Sequence, residues 1–188
     1  MKVWKSYFKE NYSKIIEIFY GQIVSTFRNM EGKVLSRNYD PLCFYSLEIP
    51  RSINNVNIYD CFNLFTKSEI LNGDNQYRYE DTEKLIDAQK DIKFWSFPKI
   101  LIICFKRFNS MGFKINNFIN FPIENLDLSR YCVGYDRKKY VYDLFSICNH
   151  TGGLNGGHYY SYCKNMNGKW YCFNDKSVSE IEKNIVSN

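Results

Sequence analysis

The chain has 188 residues, of which 45% are hydrophobic and 18% aromatic, and its formal net charge is +5. This length and composition suit one domain with a sizeable core and exclude a disordered chain, and the many aromatic residues favour β-sheet. The basic residues are scattered without a Lys/Arg block, so we expect a solvated surface rather than a nucleic-acid interface.

The seven cysteines are an odd number and include no C-x-x-C pair. Most lie in apolar runs, where a free thiol packs as a small hydrophobic group, and this pattern is typical of a reducing compartment. The N-terminus lacks the apolar segment of a secretory signal, and the longest purely apolar run, residues 100–105, is far too short to span a membrane. We therefore expect a cytoplasmic or nuclear protein that has no membrane partner.

Two short helices are predicted in the first part of the chain. One covers residues 13–19, with Ser13 as its N-cap and Gly21 as its end. The other covers residues 57–66, with Asn57 as its N-cap, because apolar side chains recur there at helical spacing.

Strands dominate the rest of the chain. Apolar alternation or continuous apolar runs predict strands over residues 23–27, 34–39, 43–49, 99–108, 113–121 and 140–148, followed by a glycine-rich loop and a final hairpin. Glu31 and Gly32 form the turn between the first two strands. The run over residues 99–108 is almost continuously apolar, which is typical of a strand buried on both faces. Mostly antiparallel strands with a few short helices indicate an α+β fold.

The tract between residues 149 and 175 carries the most chemical information. His158 follows a glycine-rich segment and precedes Tyr159, and Asn174 and Asp175 lie on the next predicted strand. An imidazole beside an Asn or Asp that orients it supplies the second and third members of a Cys-His-Asn/Asp nucleophilic site. The glycines let a substrate backbone come close, and the tyrosines supply a rigid wall.

Strand pairing decides whether His158 and Asn174 meet. A three-residue loop over residues 165–167 would set them directly opposite one another, with their Cβ atoms about 4.5–5.5 Å apart. The Asn-Gly dipeptide at 167–168 is also a strong two-residue hairpin signal, and that turn would set His158 opposite Ser177. The catalytic interpretation therefore predicts the wider turn or a compensating bulge.

Two further points concern the residues around this pair. Asp175 faces away from Asn174 on an alternating strand, so it either supports the pair through water or backbone contacts or is a turn residue. Several nearby side chains are of metal-ligating types: Cys148, His150, His158, Cys163 and Cys172. Their spacings match no usual zinc pattern, so no metal is expected there.

These residues resemble the histidine box of ubiquitin-specific proteases, which are papain-like deubiquitinases. The box opens at Tyr142-Asp143-Leu144-Phe145 and closes at Asp175-Lys176-Ser177. Upstream stretches resemble the fingers, short helix and central strand of this family in the right order: residues 21–26, 39–41, 46–50, 58–62, 98–108, 121–122 and 126–129. The resemblance therefore extends over most of the chain.

The resemblance implies a papain-like α+β fold of which residues 1–188 form the C-terminal part, with the N-terminal part missing. About residues 21–97 would be fingers-like, and about residues 98–180 would be palm-like and would carry the histidine box.

The resemblance also implies the roles of the site residues. His158 would be the general base and Asn174 its orienting residue. Tyr159, Gly156 and Gly157 would line the channel for the substrate tail, and the glycine-rich residues 151–157 would form a mobile loop that flanks this channel. The implied partners are ubiquitin and ubiquitinated proteins. Ubiquitin ends in Gly-Gly, and a cleft with aromatic walls admits only a chain without side chains.

Three departures from the family pattern matter. The positions of its finger zinc ligands hold Asn29, Gly32, Tyr79 and Thr82, so neither a structural zinc nor another cofactor is expected. The C-terminus stops short of the last core strand of the family. The N-terminal box that carries the nucleophilic cysteine is missing from the sequence.

No other cysteine is expected to replace that nucleophile. Cys61 and Cys172 match structural positions of the family. Cys104 lies in the predicted buried strand, where desolvation would raise the pKa of its thiol and quench its reactivity.

Three functions stay open. The chain is the C-terminal half of a working cysteine deubiquitinase, a catalytically inactive ubiquitin-binding protein, or a fragment that cannot fold alone because the strand around Ile100 is uncovered. The pair of His158 and Asn174 favours the first, since a pure binding protein has no chemical need for it. The 188 residues alone are expected to have no peptidase activity.

Overall fold

The computed structural model describes residues 2–10, 12–51, 55–80, 83–136 and 140–187. Within these residues the helices are Lys2–Tyr7 (α1), Lys14–Phe19 (α2), Ile58–Phe65 (α3) and Lys183–Val186 (α4), with 3-10 turns at Gly73–Asn75 and Ser129–Tyr131. The strands are Gly21–Asn29 (β1), Val34–Leu42 (β2), Tyr45–Leu47 (β3), Val56–Asn57 (β4), Glu69–Leu71 (β5), Tyr77–Tyr79 (β6), Lys84–Ile86 (β7), Ala88–Ser96 (β8), Ile103–Phe105 (β9), Ile119–Asn120 (β10), Leu126–Asp127 (β11), Val141–Tyr142 (β12), Ser146–Gly153 (β13), Gly156–Lys164 (β14), Trp170–Asn174 (β15) and Ser177–Ile181 (β16). None of the helices in these ranges is long and apolar enough to cross a membrane.

Two compact units divide the chain, and they interleave along the sequence. The first comprises Met1–Leu47, Phe62–Cys104 and Leu128–Tyr140, and the second comprises Glu48–Cys61, Phe105–Asp127 and Val141–Asn188. The predicted fingers-like and palm-like ranges follow the chain order instead, so that division stays a prediction.

An antiparallel sheet with the strand order β2-β1-β8-β5 forms the body of the first unit. Its central strand β1 pairs with β2 on one edge and with β8 on the other, which explains why most of β1 is buried. The core of this unit is aromatic: Tyr45, Phe62 and Phe94 are fully buried. The ring of Phe94 also stacks on that of Phe97, with 4.4 Å between the centroids.

The local sequence signals at the start of the first unit are confirmed. Ser13 is the N-cap of α2, and its Oγ accepts a hydrogen bond from the backbone N–H of Ile16 at 3.4 Å. The helix ends before Gly21, where β1 begins. The predicted turn at Glu31 and Gly32 joins β1 to β2, and Gly32 takes a φ of +86° that glycine adopts without a steric penalty.

None of the residues at the positions that match the finger zinc ligands of the family is a cysteine. Oδ1 of Asn29 closes the turn between β1 and β2 by accepting hydrogen bonds from the N–H groups of Glu31 (3.2 Å) and Lys33 (2.8 Å). Tyr79 ends β6, and Thr82 lies outside the described residues. Among the residues that are described, no group of three or more His, Cys, Asp or Glu could hold a metal.

A second antiparallel sheet, with the strand order β13-β14-β15-β16, forms the body of the second unit. β13 and β14 pair along their whole length, from Ser146↔Cys163 to Gly153↔Gly156. Trp170 in β15 is 2% exposed and belongs to the core of this unit. The sheet carries the candidate site residues.

α3 begins where the sequence predicts. Oδ1 of Asn57 accepts a hydrogen bond from the N–H of Asp60 at 3.1 Å, and the carboxylate of Asp60 accepts one from the N–H of Asn57 at 2.9 Å. This reciprocal capping box satisfies two N–H groups at the start of the helix.

Two of the predicted strands are largely wrong. Residues 99–108 form a strand only over β9, which pairs with β3 alone among the described strands, and both Ile102 (40% exposed) and Cys104 reach the surface. The apolar run shows that the segment is hydrophobic, but a strand buried on both faces also needs other elements packed over each face. Residues 113–121 are mostly irregular: they form a strand only over β10, which runs parallel to β4, and Lys114 makes an isolated antiparallel bridge to Phe108.

Two other predicted strands exist but differ in extent. The strand expected over residues 43–49 is limited to β3. The strand expected over residues 140–148 is interrupted between β12 and β13, where the N–H of Leu144 donates to the carbonyl of Ile123 at 2.8 Å instead of continuing a ladder.

Candidate active site

His158 lies in β14 near the tip of the β13–β14 hairpin, and its side chain is exposed. The ladder continues past His158 to the pair Gly153↔Gly156, so the turn contains only two residues. The predicted glycine-rich loop over residues 151–157 is therefore wrong. These residues form the end of a paired hairpin, because the backbone N–H and C=O groups of glycine can form ladder hydrogen bonds as those of other residues do.

The glycines of this hairpin have two different roles. A Cβ on Gly157 would lie 2.3 Å from Nε2 of His150 and 2.3 Å from a backbone carbonyl oxygen, and Gly152 has a φ of +107°, so side chains are excluded at both positions. Gly153 and Gly156 have open space where a Cβ would stand. Packing requires glycine at 152 and 157 but not at 153 and 156.

The side chains of His158 and Asn174 are joined by a hydrogen bond, with 2.5 Å between Nε2 of the imidazole and Oδ1 of the amide. Because an amide oxygen only accepts, Nε2 carries the hydrogen and Nδ1 keeps its lone pair. Among the described residues the His158 ring forms no other hydrogen bond. The arrangement lets Nδ1 take up a proton while Asn174 fixes the orientation of the ring.

The loop that joins β14 to β15 differs from the predicted one. The N–H of Asn165 donates to the carbonyl of Lys169 at 2.9 Å, which closes a three-residue loop over residues 166–168. Gly168 in this loop has a φ of +83°, which favours glycine. The loop has the length of the wider predicted turn but begins one residue later, and the alternative two-residue turn is wrong.

This shift changes how the candidate pair meets. The ladder sets Ser161 opposite Phe173, so His158 and Asn174 are not directly opposite one another, as predicted, but two positions out of register. A shift of two residues keeps side chains on the same face of a sheet, whereas a shift of one reverses them. The two side chains therefore still meet, along a diagonal of the sheet.

Asp175 lies in a two-residue turn between β15 and β16, immediately after the ladder pair Asn174↔Ser177. Its φ of +48° is in the left-handed region, which Asp tolerates better than most residues. Its carboxylate has no hydrogen bond to either member of the candidate pair among the described residues. The turn alternative agrees with this geometry, and support of the pair by Asp175 stays a prediction.

Tyr159 is 66% exposed and lies on the face of the hairpin opposite to the side chain of His158. The ladder pairs it with His150, and the two rings pack with 4.5 Å between their centroids. Nζ of Lys114 lies 3.2 Å from Nδ1 of His150 and donates a hydrogen bond to its carbonyl oxygen at 2.7 Å. Tyr159 thus sits against a polar cluster of Lys114 and His150.

Sequence patterns do not reveal this cluster. His150 is singled out there only as a metal-ligating type, and Lys114 is 36 residues away without a motif that links the two. The segment that carries Lys114 is held by Arg107, whose guanidinium donates hydrogen bonds to the carbonyls of Asn117 (2.5 Å) and Ile115 (3.2 Å). Burial lowers the pKa of Arg107 from its ordinary value.

None of the described cysteines forms a hydrogen bond with the His158 ring. Cys61 is fully buried, and this burial raises the pKa of its thiol to about 11, so it is protonated at neutral pH. The prediction that Cys104 is buried is wrong, because the strand that contains it is not covered on both faces. Cys172 is half-buried in β15.

The chain matches a known protein family along its whole length. The family model described as ubiquitin carboxyl-terminal hydrolase matches residues 1–188. The chain is 35% identical over 193 residues to a probable ubiquitin carboxyl-terminal hydrolase of Acanthamoeba polyphaga mimivirus, a match that covers 98% of this chain and 41% of the viral protein. It is 33% identical over 195 residues to human ubiquitin carboxyl-terminal hydrolase 2, with 98% of this chain and 31% of the human protein covered.

Solved structures show the same likeness. The chain superposes on Ubp8 in the SAGA DUB module bound to monoubiquitin with a TM-score of 0.78 and 30% identity, over 92% of this chain and 39% of that one. A structure of the yeast SAGA DUB module gives a TM-score of 0.80 and 27% identity, over 99% of this chain and 42% of that one. The predicted papain-like α+β fold is confirmed, and the chain spans less than half the length of these relatives.

Proposed function

Because the chain belongs to the ubiquitin carboxyl-terminal hydrolase family, we propose that the protein containing it is a thiol-dependent deubiquitinase. It hydrolyses the bond that follows the C-terminal glycine of ubiquitin, and ubiquitinated proteins are its substrates. The observation that carries the proposal is the hydrogen bond between Nε2 of His158 and Oδ1 of Asn174. A solved relative of the chain is bound to monoubiquitin, which supports the choice of substrate.

In the proposed reaction His158 moves protons and Asn174 orients it. Nδ1 of His158 takes the proton of a cysteine thiol, and the thiolate attacks the carbonyl carbon of the terminal glycine of ubiquitin. The imidazolium then protonates the leaving amine, which leaves a thioester. The neutral ring finally removes a proton from the water that hydrolyses this thioester. Asn174 accepts the Nε2–H hydrogen bond throughout and so keeps Nδ1 directed at the reacting atoms.

We place the nucleophilic thiol in a part of the protein outside these 188 residues. Cys61 is buried and protonated, and Cys172 and the exposed Cys104 form no hydrogen bond with the His158 ring. The match covers 41% of the viral relative, so most of that protein has no counterpart in this chain. The chain on its own is therefore expected to show no peptidase activity.

The hairpin tip is proposed to border the channel for the ubiquitin tail. Gly156 leaves open space where a side chain would stand, and Tyr159, three residues further along β14, is 66% exposed. The tail of ubiquitin ends in Gly-Gly and needs a main-chain-sized passage, which an open glycine and an aromatic wall provide. Gly157 is proposed to face the same passage through its backbone.

A second candidate function is ubiquitin binding without catalysis. The observation that favours it is that none of the described cysteines forms a hydrogen bond with the ring of the candidate base. The fold of a deubiquitinase would then serve as a binding surface for ubiquitin or its conjugates.

One experiment on the complete protein separates the two candidates. We expect it to hydrolyse a fluorogenic amide of ubiquitin and to form a covalent adduct with ubiquitin that bears a C-terminal electrophile. His158→Ala should lower kcat by about 10²-fold to 10⁴-fold, because it removes the general base, and should leave ubiquitin affinity within about threefold. Ubiquitin binding by the wild-type protein without hydrolysis and without an adduct would favour the second candidate.

A further inference from the structure

The residues on both sides of His158 rest on the other histidine of the chain. Nε2 of His150 lies where a Cβ on Gly157 would stand, since the two would be only 2.3 Å apart. The ring of His150 also packs on the ring of Tyr159, with 4.5 Å between centroids and 36° between planes. The two neighbours of His158 in β14 are therefore contacted from the same side by one imidazole, on the face that His158 does not use.

His150 is itself fixed from a different segment of the chain. An ammonium group only donates hydrogen bonds, so Nζ of Lys114 donates to Nδ1 of His150 at 3.2 Å and to its carbonyl oxygen at 2.7 Å. Nδ1 is thus the acceptor, and the hydrogen of the neutral ring is on Nε2. Phe108 packs near the same ring, with 6.2 Å between centroids. His150 is half-buried and held by its backbone as well as its side chain.

We propose that His150 is a positioning residue that supports the Gly157–Tyr159 segment of β14, and that Lys114 fixes His150 in that position. This inference rests on the proposed function of His158 as the general base. His150 acts on catalysis only through the backbone of β14, and it neither donates nor removes a proton in the reaction. A displacement of a catalytic group by about 1 Å lowers rates by up to about 10²-fold, which sets the size of the expected effect.

The test compares three variants of the complete protein. His150→Ala removes the ring, His150→Phe keeps an aromatic ring without nitrogen atoms, and Lys114→Ala removes the group that fixes the ring. Lys169→Ala is the control, because Lys169 lies in the same unit and forms an exposed ion pair with Glu180 at 2.9 Å. Four quantities are measured: kcat and KM with a fluorogenic ubiquitin amide, amide hydrogen exchange of residues 156–162, and the midpoint of thermal unfolding.

Support by the ring predicts a graded result. His150→Ala should lower kcat by about 10-fold to 100-fold with KM within about threefold, and should speed hydrogen exchange in residues 156–162. His150→Phe should restore most of the wild-type kcat and slow hydrogen exchange in residues 156–162 to nearly the wild-type rate. The kcat of Lys114→Ala should lie between those of the two His150 variants, about 3-fold to 10-fold below the wild type. Lys169→Ala should match the wild type.

Three outcomes would overturn the inference. The first is a wild-type kcat and wild-type exchange in His150→Ala. The second is a His150→Phe variant as inactive as His158→Ala but with normal exchange, since the nitrogen atoms would then act in the reaction. The third is faster exchange throughout the protein with a lowered unfolding midpoint, which would indicate a role in stability alone. If the wild type hydrolyses no ubiquitin amide, the proposed function fails, and local exchange still decides whether His150 supports β14.

Discussion

The two histidines of the chain lie on opposite faces of one hairpin and have opposite surroundings. His158 is exposed, has one hydrogen-bond partner and keeps a lone pair on Nδ1. His150 is half-buried, accepts a hydrogen bond from Lys114 at Nδ1 and packs on Tyr159. The difference teaches that the residue type alone does not assign a role. A histidine whose exposed ring keeps a free lone pair can take up a proton, whereas one whose lone pair is occupied by a lysine and whose ring packs on its neighbours holds those neighbours in place.

The glycines divide in the same way. Gly157 lacks room for a methyl group because His150 and a carbonyl oxygen fill that space, so it serves the packing of the hairpin. Gly156, one residue earlier, has open space and serves no packing that the described residues show. Substitutions at the partner of His158 and at these two glycines sharpen the contrast between the chemical face, which carries His158 and Asn174, and the supporting face, on which His150 packs against Gly157 and Tyr159.

Among these three positions the largest effect is expected at Asn174, on the chemical face. Asn174→Ala removes the acceptor for Nε2–H, so the ring can rotate and Nδ1 no longer faces the thiol. We expect kcat to fall by about 10-fold to 100-fold while KM for a ubiquitin amide changes less than about threefold. Asn174→Asp should recover much of the rate, since a carboxylate accepts the same hydrogen bond.

Asn184→Ala is the matched control for this prediction. Asn184 is an exposed asparagine of the same unit, and its amide donates to Glu182 at 3.1 Å, far along the chain from β14. Its variant should keep the wild-type kcat. Equal activity of Asn174→Ala and the wild type would contradict the orienting role.

The next effect is expected at Gly157, on the supporting face. A methyl group there would lie 2.3 Å from both Nε2 of His150 and the carbonyl oxygen of Thr151, and a backbone oxygen shifts less easily than the end of a flexible side chain. Gly157→Ala should lower the free energy of unfolding by about 1–3 kcal/mol, the usual range for overpacking, as measured by urea denaturation. Gly153→Ala, which meets open space in the opposite strand, should change it by less than about 0.5 kcal/mol. Similar values for the two variants would show that the hairpin adapts to the added methyl group.

Local signals of the fold were predictable from sequence because they act over a few residues. Ser13 and Asn57 cap their helices through hydrogen bonds to N–H groups three residues away, and the turn at Gly32 needs only a left-handed φ. The failure of the strand predicted over residues 99–108 was not predictable, since an apolar run does not say what packs over each of its faces. For the same reason, the sequence does not reveal that Cys104 is exposed.

The candidate site was predictable in part for the same reason. His158 and Asn174 share a face in any register that differs by two residues, so alternation along β14 and β15 brings them together even though the predicted loop was misplaced by one residue. The position of that loop depends on the left-handed φ of Gly168, for which two turn types compete in the sequence. The contact between Lys114 and His150 joins segments with no common motif, and only the folded chain reveals it.

The smallest expected effect is at Gly156, and it separates packing from substrate passage. Gly156→Ala adds a methyl group to open space, so the free energy of unfolding should stay within about 0.5 kcal/mol of the wild type. If the tail of ubiquitin passes this backbone, the methyl group narrows the passage and should raise KM for a ubiquitin amide by a few-fold, while kcat changes less. Gly153→Ala, equally open but on the opposite strand, is the control and should leave KM unchanged. A KM that stays at the wild-type value in Gly156→Ala would move the channel away from Gly156 and leave Gly157 and Tyr159 as the residues proposed to border it.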